Sequence, residues 1–360
     1  MATRQFPVMI NNDIPSIRDG VEAFTPGTHR RSYLMFHELA HDMLFPLHFV
    51  SPYDYNWETD EIDGYYQSDG RTFHPVARSF KPSFIFDKAS GADPHCTAVI
   101  DHFESAGIPI FGSRDLARLC CDKWRIYMQF ARFSPLTALL PQDRSLMVEH
   151  MFRFFDKMDR TYTRHDNRVV VKPLHGFQSR GIHRISRGPA GLEMHMLFGG
   201  QIGGDDIDRH LEFMSTTPYL IQAWVNTGAG IPGVGLEGDA HDVRFIFRIR
   251  ERGEAEFIML YVKTLDGMKY IPLADFARSN PFEVVNPIAD WMAAHFPYGI
   301  FSVDVMRDES GRWFLTELND QVGLTLDFDQ PQEVAEMERF MRIYLHEMIR
   351  YSSQTRAISR

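Results

Sequence analysis

Cysteine is scarce in this chain, with three in 360 residues: Cys96, Cys120 and Cys121. Two are adjacent and none stands in a CxxC spacing, so neither a disulfide framework nor a cysteine zinc site is indicated. Long apolar runs are missing too. No segment approaches the ~18 consecutive apolar residues that a membrane helix requires. The first residues show no charged segment followed by an apolar stretch, so no secretory leader is expected. Positive charge is also short, the formal net charge being −10. A sequence-independent nucleic-acid binder needs clustered basic surface, so that class is disfavoured, although one nucleotide could still find a local basic pocket. No internal repeat or low-complexity tract is visible. With 44% hydrophobic residues, the chain is expected to be cytoplasmic and globular, with two or three domains. Small-molecule partners are expected rather than nucleic acid or membrane, and a homodimer is left open.

What is present begins with an α/β alternation over the first third. Strands are expected at Phe6–Ile10, Leu47–Val50, Ser83–Asp87 and Ile108–Phe111, with helices near Arg30–Leu44, Pro94–Ala106 and Arg114–Arg132. A hairpin is expected around Ser68-Asp69-Gly70. After a boundary near Gly112-Ser113 and a helix at about Asp143–Arg164, the pattern turns to paired β segments. These are VVVKPL, GIHRIS, YLIQAWV, DVRFIFRI with EFIMLYVKT, and FSVDVM with RWFLTELN; a helix at about Gln332–Tyr351 closes the chain. The division expected is 1–112, 113–225 and 226–360.

Four segments carry candidate chemistry. In SVDVMRDESGRWFLTELN the DESG turn puts Asp304 and Glu317 on neighbouring antiparallel strands. An even loop centred on Glu309-Ser310 sets Asp304 opposite Leu315, with Glu317 and Asn319 on the same face. Two carboxylates and an amide oxygen are hard ligands that suit Mg²⁺ shared with substrate phosphates. A one-residue change in the loop would split the carboxylates between faces, and an ordinary acidic hairpin is the plain alternative. In VVVKPLHGFQSRGIHRI a strand ends in Lys172 and a loop follows. There Gly176 and Gly181 let backbone N–H groups approach phosphate, with Arg180 as a second cation. This is not the phosphate loop in which lysine follows the glycines. YLIQAWV offers backbone groups and apolar walls to an adenine ring, or is simply a core strand. Asp242 and Arg244 alternate on one strand face. Arg244 could clamp a phosphoryl group or an oxyanion, or the pair could be a structural salt bridge.

These segments in this order, with Asp122-Lys123 upstream, resemble the ATP-grasp superfamily over roughly Ser113–Leu324. The resemblance implies an α/β (α+β) ATP-grasp fold behind an N-terminal Rossmann-like α/β domain. The implied activity is a carboxylate-amine ligase like glutathione synthetase and the D-alanine ligases. It implies that Lys123, Lys172, Gly176, Ser179 and Gly181 hold ATP phosphates and that Gln222, Ala223, Trp224 and Val225 form the adenine hinge. It also implies a site for two Mg²⁺ ions, or Mn²⁺, at Asp304, Glu317 and Asn319, whose D-x12-E-x-N spacing is that of D-alanine ligases. Those ligases carry arginine where this chain has Ser302, so the oxyanion role shifts to Arg244 and the branch moves away from D-alanine. Asp242 is the choice for the ribose, with Glu237 and Asp239 as rivals, and Lys263 and Ser302 are candidate substrate contacts. The substrates expected are an amino acid or small peptide carboxylate and an amine, joined through an acyl-phosphate.

A rival motif is HELAH, where His37 and His41 would bind zinc on one helix face and Glu38 would act as base. Among 16 histidines such a pattern arises readily by chance. The extended form fails, because Leu44 replaces glycine and His48 comes one position late. A non-catalytic ATP-binding module is a third class, against which the metal triad and both lysines argue.

Overall fold

The computed structural model describes residues 5–24, 30–88, 93–163, 165–175, 181–189, 191–197, 207–232, 234, 241–250, 253–264, 267–276, 279–320, 322–323 and 330–358. Three sheets follow one another along the chain. The first is built from β1 (Gln5–Ile10), α1 (Arg30–Asp42), β2 (His48–Val50), a small ribbon β3 (Tyr55–Asn56) and β4 (Glu61–Ile62), β5 (Tyr65–Ser68), β6 (Phe73–Val76), β7 (Lys81–Asp87), α2 (Pro94–Ser105) and β8 (Ile110–Phe111). Its order is β6-β5-β2-β1-β7-β8. β2, β1, β7 and β8 run parallel, and the expected hairpin extends the edge antiparallel. Alternation sorts the side chains: Val8 and Ile10 pack with α2 through Val99, Ile100 and Phe103. Met9 and Phe86 turn instead toward Phe36 and Leu39 of α1. The chain passes from β1 to one side and later returns on the other, so a topological switch point lies between the ends of β1 and β7. Ligands of such sheets bind in that crevice.

One helix was expected over Arg114–Arg132; two are found, α3 (Arg114–Cys121) and α4 (Lys123–Phe130). Asp122 stands between them in extended backbone, φ −106° and ψ 93°, and its side chain accepts from Arg125 N. An aspartate that caps a new helix competes with continuing the old one, and it places Lys123 on the first turn of α4. The second sheet comprises β9 (Thr137–Leu139), β10 (Arg168–Pro173), β11 (His183–Gly188), β12 (Gly191–Met196) and β13 (Tyr219–Ala223). Its order is β12-β11-β10-β13-β9, antiparallel throughout. Helix α5 (Arg144–Thr161) packs Met151, Phe155 and Met158 on Val169, Val171 and Ile185 of this sheet, and α6 (Ile207–Ser215) adds Leu211 and Met214.

The third sheet has the order β16-β15-β14-β17-β18. Its strands are β14 (His241–Ile249), β15 (Ala255–Thr264), β16 (Gly267–Tyr270), β17 (Gly299–Arg307) and β18 (Trp313–Asn319). One face packs Phe245, Phe247 and Val303 on Val285, Ile288 and Met292 of α7 (Phe282–His295) and on Leu116, Ile126 and Phe130 of α3 and α4. The other buries Ile246, Ile258 and Ile300 under Met341, Tyr344 and Leu345 of α8 (Pro331–Ile358), together with Phe36 and Phe86 of the first sheet's layer. Further along, the same strand faces carry polar residues in place of apolar ones, and there the candidate site begins. Among the described residues no helix is long and apolar enough to cross a membrane.

Candidate active site

The β17–β18 hairpin differs from its expected register. The turn spans five residues, 308–312, between the paired Arg307 and Trp313, one residue longer than an even loop. Asp308 builds it by accepting from Ser310 N and Arg312 N, both at 2.9 Å, and Gly311 supplies φ 91°. An odd turn alone would put Asp304 opposite Thr316 and send Glu317 to the other face. A β-bulge at Thr316 restores the parity: Val305 pairs with Leu315, then Asp304 pairs directly with Glu317 and Ser302 with Asn319. Burial records the same step, since Trp313, Leu315 and Leu318 point inward while Thr316 and Glu317 are both partly exposed. The extra residue is not idle. Lys172 Nζ, on β10 of the other sheet, donates to Thr316 O at 3.4 Å, and Thr316 Oγ1 donates to Asp304 O at 3.0 Å.

Lys172, Lys123, Gln222, Thr316 and Glu317 line one narrow recess of about 20 Å³ between the second and third sheets. The Lys123 backbone N–H donates to Leu174 O at 3.3 Å, which ties α4 to the end of β10. Burial pushes the Lys172 ammonium down to about 8, against the attraction of Glu317. The same burial lowers Lys123, again opposed by Glu317. Two cations therefore share a closed space with one carboxylate, an arrangement suited to receiving a polyanion. Gln222 is buried and donates to Thr137 Oγ1 at 2.9 Å. Beyond it the N–H groups of Ala223 and Trp224 bond to Leu136 O (2.8 Å) and Arg168 O (3.2 Å). The Trp224 ring lies under the Arg168 guanidinium, 5.1 Å away. Ala223, Trp224 and Val225 also border a larger cleft with Tyr162, Arg312 and Phe314.

Around Asp304 the sequence candidates converge. The residue is 0% exposed. Arg244, its direct neighbour on β14, donates through Nε to Oδ1 at 2.7 Å and through Nη2 to Oδ2 at 2.6 Å. Lys263 Nζ lies 2.9 Å from Oδ2, Asn319 Nδ2 3.3 Å from Oδ2, and Ser302 Oγ 3.3 Å from Oδ1. Burial opposes the charge, but Arg244 and Lys263 outweigh it and hold the carboxyl well below the usual range. Lys263 also bridges to Asp242 Oδ2 at 3.0 Å. Burial pushes Asp242 up to about 6, with Lys263 opposing and Asp304 adding to the rise; its Oδ1 is buried without a hydrogen bond among the described residues. Sequence reading missed Tyr261, whose hydroxyl accepts from Arg244 Nη1 at 3.2 Å. Strand periodicity could have found it, since Tyr261 pairs with Arg244 and stands two residues before Lys263.

Whether Mg²⁺ fits can be judged from the donors. Five hydrogen bonds already converge on Asp304, and a carboxylate offers about four lone-pair sites. Glu317 opposite accepts no hydrogen bond among the described residues, and Asn319 turns its Nδ2 to Asp304, which leaves its amide oxygen free to face outward. The set fits a hard cation that arrives with phosphate, held first by Glu317 and Asn319. Among the described residues no three His, Cys, Asp or Glu side chains form a metal-holding group. The HELAH residues do not come together as a centre: His41 and Glu38 are exposed, whereas His37 packs between Phe49 and Phe73 at 5.7 and 5.9 Å. Burial lowers the His37 pKa. Of the expected phosphate loop, Gly181 is described, with φ 72° and its Cβ position 2.9 Å from the Tyr219 hydroxyl. Gly176, Ser179 and Arg180 lie outside the described residues, as do Glu237 and Asp239.

No family model and no curated protein matches the sequence. Solved structures do match, along nearly the whole chain. The VanG D-Ala:D-Ser ligase from Enterococcus faecalis is 13% identical at a TM-score of 0.54, covering 97% of this chain and 100% of that one. The D-alanine-D-alanine ligase from Coxiella burnetii is 9% identical at 0.55, covering 99% and 98%. D-cycloserine synthetase DcsG is 13% identical at 0.55, covering 95% and 99%. The chain has an ATP-grasp fold. At these identities the likeness is one of fold. The recess with Lys123, Lys172 and Glu317 lies between the two antiparallel sheets, and Glu317 pairs across the strands with Asp304.

Proposed function

We propose that this chain is an ATP-dependent ligase that joins the carboxylate of an amino acid or small peptide to an amine, releasing ADP and phosphate. The observation that carries the reading is the meeting, between two sheets, of two partly buried lysines with the Asp304–Glu317 pair, completed by the bulge at Thr316. A carboxylate is a poor acyl donor because its leaving group would be oxide. Its oxygen attacks the γ-phosphorus of ATP, the bond to the β-phosphate oxygen breaks, and ADP leaves. The amine then attacks the acyl carbon, phosphate departs with the former carboxylate oxygen, and the amine loses a proton.

Such transfer asks for positioning and charge neutralisation more than covalent help. Lys123 and Lys172 would bind the phosphates, and Gln222 to Val225 would border the adenine. Glu317 and Asn319, joined by Asp304 once Lys263 turns from it toward phosphate, would hold Mg²⁺. When bound, that ion neutralises phosphate charge and aligns the phosphoryl group. Lys263, with 25% of its side chain exposed against 11% for Arg244, is the more accessible cation. Arg244 is fixed by Asp304 and Tyr261, so it supplies a preoriented charge for the developing oxyanion. Asp242 fits a role in keeping Lys263 in place as well as one at the ribose. The test is a phosphate-release screen over acid and amine pairs with ATP and Mg²⁺, followed by mass spectrometry of the product. Release that depends on both substrates supports the ligase, and formation of AMP with pyrophosphate would refute the acyl-phosphate route.

A further inference from the structure

The second sheet holds one side-chain pair whose hydrogen bonds can run in a single direction only. Thr137 of β9 and Gln222 of β13 stand directly opposite each other. On its other side Gln222 pairs with Val170, two residues before Lys172 on β10. Strand alternation therefore sets the Gln222 side chain on the same sheet face as Lys172. The opposite face, with Val169, Val171 and Ile221, packs on α5. Gln222 accordingly lines the recess beside Lys123 and Lys172, yet it is 6% exposed and Thr137 3%.

Two contacts decide which end of the Gln222 amide is left for a ligand. Thr137 Oγ1 lies 2.8 Å from Pro135 O. A carbonyl oxygen cannot donate, so the hydroxyl proton belongs to that bond. The hydroxyl then meets Gln222 with a lone pair, and the amide answers with its nitrogen: Nε2 donates to Thr137 Oγ1 at 2.9 Å. An amide turned end for end would press two acceptor oxygens together in a buried site. With its nitrogen committed to Thr137, Gln222 keeps its carbonyl end, Oε1, for the recess. The recess holds about 20 Å³, so a nucleotide enters only as the second and third sheets part. The lock lies wholly within the second sheet, and such a motion leaves the β9–β13 pairing in place.

On the ligase reading, with the nucleotide base at the hinge, we propose that Thr137 locks the Gln222 amide with its carbonyl toward the base, so that the site takes adenine and rejects purines that carry an oxo group in place of the amino group. Gln222 then acts as an acceptor, as a carboxylate would, without burying a charge. Adenine offers Oε1 an N–H from its exocyclic amino group; hypoxanthine sets a second acceptor against it. Thr137 is a positioning residue, acting through Gln222 alone.

The test is nucleotide binding, which needs neither acid nor amine. Dissociation constants for ATP and ITP with Mg²⁺ are measured on the full chain by titration calorimetry, with melting temperatures alongside. The wild type should bind ITP about ten- to a hundredfold more weakly than ATP, the weight of a buried acceptor left facing another. Thr137→Val frees the amide to turn its nitrogen to the base, and should bring ITP within a few fold of ATP, chiefly by strengthening ITP. Thr137→Ser keeps the hydroxyl and should keep the preference. Gln222→Glu, an acceptor at both oxygens, should also keep it, and Gln222→Leu should lose it; these two decide the matter should Thr137→Val not fold. A purely structural Thr137 would weaken both nucleotides by one factor and leave their ratio as in the wild type, which would overturn the proposal. A preference for ATP that survives in Gln222→Leu would overturn it in favour of recognition by the backbone. If ATP itself does not bind, the nucleotide reading of the recess fails; if ATP and ITP bind the wild type equally, only the lock fails.

Discussion

Asp304 faces Glu317 across β17 and β18 because Thr316 is one residue too many for a regular ladder. The five-residue turn and the bulge each shift the register by one, and together they return both carboxylates to one face. The bulged backbone also turns a carbonyl toward Lys172 in the neighbouring sheet, so one irregularity shapes the acidic wall and links it to the basic one. Bulges of this kind are used to re-aim side chains next to active sites.

Deleting Thr316 tests this directly. The ladder then runs without interruption, Glu317 stays opposite Asp304, and the inward alternation of Trp313, Leu315 and Leu318 becomes regular. The expected outcome is a folded protein whose melting temperature moves by only a few degrees and whose KM for ATP rises several-fold, because Lys172 loses its anchor. Melting curves and ATP kinetics check both halves.

Lys172 makes a pH prediction. Its folded pKa, about 8, lies below the free-chain value of about 10.4. Between those values the unfolded chain binds more protons, so this group's contribution makes the unliganded protein more stable as pH rises through that window; below it, the full cost of the buried charge is present. ATP favours the charged form, so binding near pH 8.5 should take up protons. Titration calorimetry in two buffers of different ionisation enthalpy should show that uptake, and Lys172→Arg should diminish it.

Arg244 should matter to stability as well as to turnover. Removing one partner of a buried ion pair typically costs about 3–5 kcal/mol, because the remaining charge is stranded. Arg244→Met should therefore lower the urea midpoint, with Lys263 limiting the loss to the lower end of that range. The double variant Arg244→Met with Asp304→Leu should regain part of the stability and none of the activity.

Glu317→Gln separates chemistry from folding. Glu317 is partly exposed and accepts no hydrogen bond among the described residues, so its neutralisation should leave the melting temperature nearly unchanged. Turnover should fall by orders of magnitude at saturating Mg²⁺. Turnover near the wild-type rate would remove Glu317 from the metal-holding role.

The sequence was legible where local patterns decide the outcome. The apolar alternation of β1, β7, β10 and β14 marked the strands, whereas the pairing of β14 with β17 that sets Arg244 beside Asp304 joins two hairpins distant in sequence and came only with the fold. What escaped depended on single residues acting against the pattern. Asp122 breaks a helix whose apolar spacing continues through it, because a side-chain cap on Arg125 N outweighs one more turn. The register beside Glu317 rested on an assumed loop length, and parity in a hairpin turns on one residue. HELAH shows the reverse case, a motif whose spacing is right and whose side chains part, His37 into an aromatic layer and His41 into solvent.

The most direct measurement follows oxygen. With the carboxylate substrate labelled with ¹⁸O, the acyl-phosphate route moves one labelled oxygen into the inorganic phosphate released, and the nucleotide product is unlabelled ADP. Label in the phosphate, lost together with turnover in Glu317→Gln, is the result expected. Label appearing in AMP, or unlabelled phosphate formed at the same rate without the amine, would contradict a ligase that works through an acyl-phosphate.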